Sequence, residues 1–351
     1  MSGLHVRVTT IKNLRPHPDP TVTKLELCEV FGWQMVVGKG LHVEGNKVVF
    51  FPPDTCIPDV WAEKWNVKNY LGSGNRVKMV RLKGEPSYGL AIRVEPENQD
   101  WEDDRDVADF YGATKYDPPI RPTSGDAEVA HPMFEKYTDI ENMRNFPEIF
   151  VDGEEIVATE KIHGTNCRVG LVDGDEMAGS KDLRRKMPNG FQDIRANTYW
   201  FPMGNDAIKG CLHGVAEQRG AKQVILYGEV YGGSVQNLHY GIEKGKGLGF
   251  RAFDMLVDGK YLDYDDFVAI TDQYKVERVP FVFRGAFSIA KVKELSDGKT
   301  LMGADHIREG VVIRPVKERI NPKIGRVVLK YVGDSYLYKK ESGKTTDFKD
   351  Q

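Results

Sequence analysis

The chain is 351 residues long, 40% hydrophobic and 29% charged, with a net charge of −3. That length and composition allow two globular domains with real cores, and neither repeats nor low-complexity stretches are visible. The near-neutral charge excludes wholesale electrostatic attraction to nucleic acid, so any basic surface has to be local.

Four cysteines, Cys28, Cys56, Cys167 and Cys211, have neither CxxC nor Cys/His ligand spacing and read as reduced thiols. Residues 1–7 lack the apolar core of a leader, and no later run is long enough to span a bilayer. A soluble, cytoplasmic protein is expected.

In chain order, the strand-like runs 5–11, 25–37, 47–51, 76–82 and 90–94 come first, separated by turn signals such as Gly45-Asn46 and Pro52-Pro53. A short helix around Val60–Trp65 is expected between the third and fourth runs, with Asp59 near its N-cap. Five strands with one inserted helix predict an OB-type β-barrel over residues 1–116; another small barrel serving as a structural prop fits the pattern as well. A polar, proline-marked join with Pro118-Pro119 and Pro122 follows, and the boundary is placed near residue 117. Phe134, Tyr137, Ile140 and Met143 recur at helical spacing, so 133–143 is expected to be a helix.

The second domain, 117–351, opens with a strand over 155–161 that delivers Lys161 three residues before Gly164. A hairpin turning at Asp173-Gly174 follows. Burial lowers the proton affinity of a lysine and makes it a nucleophile, and glycine lets backbone approach a phosphate closely. Alone, Lys-x-x-Gly is a weak pattern. Four apolar runs then each carry a charge: Glu229 within 224–232, Asp254 beside Phe253 within 249–257, Glu309 entering 310–314, and Lys330 within 327–332. A charge in a β-rich apolar run is costly unless it is paired, metal-bound or lining a cleft. Four in succession point to strands converging on a site.

The ordered set Glu-Lys-x-His-Gly-Thr-Asn, Gly-Glu, Phe-Asp, Glu-Gly-Val-Val and a late Lys resembles the covalent nucleotidyltransferases, which include nucleic-acid ligases and mRNA capping enzymes. The form with His163, Thr165 and Asn166 is similar to ATP-dependent RNA ligases. An OB-type domain ahead of the catalytic domain looks like the RNA ligase 5 family. The resemblance implies an α+β fold: an N-terminal OB-type β-barrel, then a nucleotidyltransferase domain of antiparallel β-sheets with flanking helices. It implies that Lys161 attacks ATP to give lysyl-AMP, that AMP passes to an RNA 5′-phosphate, and that a 3′-hydroxyl completes the joint, with Mg²⁺ or Mn²⁺ assisting. RNA ends, or a nicked duplex with an RNA 3′-hydroxyl, are the implied partners of a monomeric enzyme in RNA repair.

By the same resemblance Glu160 contacts the adenine, Phe253 stacks on it, and His163 lies by the phosphates or the attacking strand. Asn166 orients the 3′-hydroxyl, Glu229 holds the ribose or a metal-bound water, Glu309 serves metal and lysine, and Lys330 touches the α-phosphate. Each has a plain alternative: a strand-end acid for Glu160, a buried hydrogen-bonded ring for His163, a turn cap for Asn166 and a core ring for Phe253. The ribose-binding basic residue is either Lys181 or Arg184, unless 179–186 is only a solvated basic loop. Val328 stands where many ligases have a second lysine, and Arg326 is the nearby candidate to replace it. DNA ligation, capping, or a non-catalytic RNA-binding adaptor are the competing functions.

Overall fold

In a computed structural model of the chain, the described residues are 4–117, 125–341 and 347–348. The join at 118–124 lies outside them. The chain forms two compact units: Met1–Ile120 with Arg144–Pro147 and Tyr338–Gln351, and Arg121–Met143 with Glu148–Leu337.

In the first unit, β1 (Arg7–Thr10), β5 (Lys47–Phe51) and β6 (Leu90–Arg93) form one antiparallel sheet, ordered β1-β5-β6. A second sheet joins β2 (Lys12–Pro16), β3 (Leu25–Val30) and β4 (Trp33–Gly38). The sheets are open, with no closed barrel among the described residues. The run expected as one strand over 25–37 is a hairpin. Phe31 and Gly32 turn it with φ of +50° and +75°, the paired positive values of a tight hairpin turn. Of the run 76–82 only Val80–Leu82 is strand. Helix α1 (Asp59–Lys64) lies between the third and fourth runs and buries Ala62 against Val8, Val49 and Phe51.

The second unit is built on two sheets. One is antiparallel, with β8 (Thr165–Val172) between β9 (Asp175–Ser180) and β10 (Gln223–Tyr231), and β11 (Gly249–Val257) beyond. The β8–β9 turn is Asp173-Gly174, both at positive φ, as its sequence requires. Helix α2 (Asp206–Arg219) starts on an Asn205 cap, ends at Gly220 with φ +61°, and presses Ile208, Cys211, Leu212 and Val215 onto one face of this sheet. Helix α3 (Tyr264–Gln273) adds Phe267 and Ile270 to the same core.

The opposite face carries Ile225, Tyr227 and Leu256, covered by Phe134 and Tyr137. The covering segment is not the expected helix; beyond the turn at 132–134 it is irregular, and its only regular structure before Met143 is a two-residue strand, Glu141–Asn142. Its carbonyls are taken by the sheet's side chains. Arg168 donates to Phe134 O at 2.7 Å, Tyr227 Oη donates to Glu135 O at 3.0 Å, and Gln223 donates to Met133 O. The apolar stripe is buried as expected, in a different backbone conformation.

The other sheet runs Glu141–Asn142, β14 (Leu329–Val332), β13 (Gly310–Pro315), β7 (Glu155–Glu160), β12 (Phe281–Ala286). It presents the end of β7, and hence Lys161, to the first sheet's Glu229.

Candidate active site

Lys161 follows the last residue of β7, and its N–H still donates to Gly310 O at 3.0 Å, extending the ladder by one step. Its ammonium lies 2.9 Å from Glu309 Oε1. His163 Nδ1 is 3.3 Å from Glu309 Oε2, at ion-pair distance but not aligned as a hydrogen bond. Gly164 N–H donates to Glu229 Oε1 at 3.1 Å. A Cβ on Gly164 would sit 2.2 Å from Val230 O and 2.9 Å from Glu229 Cγ, so only glycine lets this turn lie against β10.

These contacts set the protonation states. Burial pulls Lys161 toward lower proton affinity, but Glu309 and Glu229 beside it outweigh that, and its pKa is raised. The sequence expectation of a lysine deprotonated by desolvation is corrected here: before nucleotide arrives Lys161 is an ammonium. Burial pushes Glu309 up, yet Lys161 and His163 prevail and bring it down to about 2. Glu229 goes the other way, raised by burial to about 8.

Phe253 is the extra residue of a β-bulge: Tyr227 pairs with Asp254 and Gly228 with Ala252, leaving Phe253 without a partner on β10. Bulges re-aim side chains at site margins. Its ring meets Tyr137 edge-on at 4.9 Å and is half-buried. Asn166 pairs with Glu229 across β8 and β10, and its Oδ1 is buried without a hydrogen-bond donor. Lys330 is half-buried on β14. Register places Thr159, Val312 and Lys330 in one row across the sheet. Strand alternation puts Lys161, two residues beyond Thr159, on the same face.

Other expected residues are engaged elsewhere. Both Glu160 oxygens accept hydrogen bonds, from Thr300 Oγ1 and from Leu301 N–H, and the residue is 1% exposed. Its carboxylate clasps Thr300 and Leu301. Lys181 pairs with Asp139, and Arg184 pairs with Glu128 at 3.1 Å. Val328 is buried. Arg326 cannot replace the missing lysine. Its guanidinium is buried, 2.6 Å from Asp254, and also binds Tyr137 and the partly buried Glu318.

Sequence reasoning missed two parts. Asp254, fully buried, receives Arg314 at 3.1 Å and the Tyr137 hydroxyl at 2.8 Å as well as Arg326. Burial favours its protonation, but the two guanidiniums hold its pKa below the usual carboxylate value. The acid was visible beside Phe253; its distant partners were not. Tyr240 Oη accepts the His163 N–H at 2.7 Å, and the only signal was a tyrosine before glycine in a Gly-rich connection.

Among the described residues no group of three or more His, Cys, Asp or Glu could by itself hold a metal ion. Glu309 Oε2 is nevertheless a buried carboxylate oxygen without a hydrogen-bond donor, and Glu229 is nearby in charge range of Lys161. That donor set suits a cation whose remaining ligands are phosphate and water.

No curated protein is similar enough in sequence to match. In three dimensions the chain is similar to Naegleria gruberi RNA ligase. An apo variant of that enzyme superposes with a TM-score of 0.75 at 22% identity, covering 98% of this chain and 99% of that one. A variant with AMP and Mn gives 0.73 at 22% identity, covering 97% and 99%. A variant with ATP and Mn gives 0.74 at 22% identity, again covering 97% and 99%. These likenesses establish the fold. A family model described as RNA ligase matches residues 154–332, just over half of the chain, and spans Lys161, Glu229, Phe253, Glu309 and Lys330. The chain belongs to the RNA ligase family.

Proposed function

We propose that the protein is an ATP-dependent RNA ligase that joins a 3′-hydroxyl RNA end to a 5′-phosphate end. The observation that carries this is Lys161: a lysine at an open strand end, held 2.9 Å from Glu309, with Glu229 of β10 accepting from the turn that follows it. Family membership and the ATP- and AMP-bound forms of the similar Naegleria enzyme support the nucleotide assignment.

The reaction is three displacements. Lys161 Nζ, its proton released to water, bonds to the α-phosphorus of ATP; the bond to the β-phosphate oxygen breaks and pyrophosphate leaves. An RNA 5′-phosphate oxygen then bonds to the AMP phosphorus and Lys161 departs. The 3′-hydroxyl finally bonds to the 5′-phosphorus as AMP leaves. Glu309 holds the ammonium until the polyphosphate arrives, and Lys330, on the same face, faces the α-phosphate charge. Phe253 offers its ring to the adenine. Glu229 takes the ribose, and Asn166 Oδ1 the attacking hydroxyl. His163 lies by the phosphates. Glu309 and Glu229 would hold Mg²⁺ or Mn²⁺, which would supply charge neutralisation when bound. Lys181 or Arg184 reaches the ribose only by leaving its carboxylate.

The first unit is read as an OB-type module over 1–116 for nucleic acid, ahead of the catalytic module over 117–351, as in the RNA ligase 5 family. A monomer in the cytoplasm, sealing nicked duplexes in RNA repair, completes the proposal; four free cysteines suit a reducing compartment.

The test is sealing of a nick panel with ATP and Mn²⁺, varying RNA and DNA on the 3′-hydroxyl side. Sealing is expected with RNA there and to be weak with DNA. Equal sealing of both makes the protein a general polynucleotide ligase. RNA binding with no sealing and no adenylylation makes it an adaptor.

A further inference from the structure

Residues 161–164 lie between β7 and β8, where each buried amide still needs an acceptor. Lys161 N–H uses Gly310 O, and Gly164 N–H uses Glu229. His163 N–H uses the hydroxyl of Tyr240, at 2.7 Å the shortest of the three. Tyr240 comes from the Gly-rich connection 232–248 between β10 and β11. It is 3% exposed. Its ring packs edge-on against Tyr231 at 5.6 Å and His306 at 4.7 Å, and clusters with Ile162, the residue after Lys161.

The backbone there is unusual. Tyr240 has φ +48°, the left-handed region, which is unfavourable for a bulky side chain. Such strain persists only where the surroundings over-determine it, and it clusters at functional sites. The same connection sends Gln236 Nε2 to Gly164 O at 3.4 Å. Two of its side chains therefore grip the turn after Lys161, one by a donor and one by an acceptor. By contrast, Asn166 and Glu229 sit in the β8–β10 ladder and are fixed without Tyr240.

We propose that Tyr240 is a positioning residue: its hydroxyl, by binding the His163 amide, holds the 161–164 turn in the conformation from which Lys161 attacks, and so governs lysine adenylylation rather than the joining step. The inference rests on the reading of Lys161 as the nucleophile.

Tyr240→Phe tests it, because the ring packing is retained and only the acceptor is removed. The variant should melt close to the wild type. Its single-turnover formation of protein–AMP should be about tenfold slower at saturating ATP, with KM for ATP and the joining of pre-adenylated RNA each within about twofold. Hydrogen exchange at the His163 amide should accelerate in the nucleotide-free variant. An unchanged adduct rate, equal slowing of both steps, or unchanged exchange at His163 would overturn the proposal. If the wild type itself forms no adduct, the ligase reading fails, and exchange at His163 still decides whether Tyr240 holds the turn.

Discussion

At the scale of single residues, the site is a contest between burial and charge around Lys161. Desolvation alone makes a neutral lysine, and a sequence shows burial more readily than it shows which carboxylates arrive from distant strands. Glu309 and Glu229 arrive, and the ammonium wins. Glu309 then carries a pH signature. Its folded pKa is depressed from 4.5 to about 2, so its contribution to stability is complete above the unfolded value and is lost as pH falls from 4.5 toward 2. Glu309→Gln should therefore lower stability at neutral pH and flatten the acid limb of a melting-temperature profile over that window. An acid limb identical to the wild type's would refute the ion pair. Gly164→Ala introduces a Cβ within 2.2 Å of a backbone oxygen. Overpacking of this kind costs about 1–3 kcal/mol. If that strain falls on the turn, adduct formation should drop about tenfold or more, which quench-flow with labelled ATP would measure.

Among elements, strands and their turns were legible because their signals are local. A strand was expected over 155–161, where β7 lies, and Asp173-Gly174 marked the hairpin that follows. The 133–143 segment misled for a physical reason. Apolar residues three or four apart also suit an irregular chain lying across a sheet, once Arg168, Gln223 and Tyr227 supply donors to its carbonyls. The Phe253 bulge was illegible, since it depends on register with β10. So was the buried cluster of Asp254, Arg314, Arg326, Glu318 and Tyr137, which joins β11 to β13 and to the 316–328 connection. Asp254→Ala leaves two buried guanidiniums short of a counter-charge, a loss of about 3–5 kcal/mol. Urea unfolding should show it as a lowered midpoint with an unchanged slope. A change under 1 kcal/mol, on the order of an exposed pair, would contradict the burial of the cluster.

For the whole molecule, the two units are not two consecutive pieces of chain. Residues Arg144–Pro147 return to the first unit, where Asn145 receives the Trp33 indole N–H at 2.9 Å and the Arg7 guanidinium. No local pattern announced that return. A fragment ending at residue 116 loses both acceptors, and leaving a buried donor unpaired costs about 1–3 kcal/mol. The fragment should melt below the same unit in the full chain, with altered Trp33 fluorescence; equal melting would show that Arg144–Pro147 contributes nothing. The overall claim depends on chemistry at one nitrogen. The protein incubated with ATP and Mn²⁺ should gain one adenylyl group, the mass of AMP less one water, mapped by peptide analysis to Lys161 as an acid-labile phosphoramidate, and Lys161→Ala should gain none. An unmodified wild type, or AMP attached to any other residue, would contradict the account.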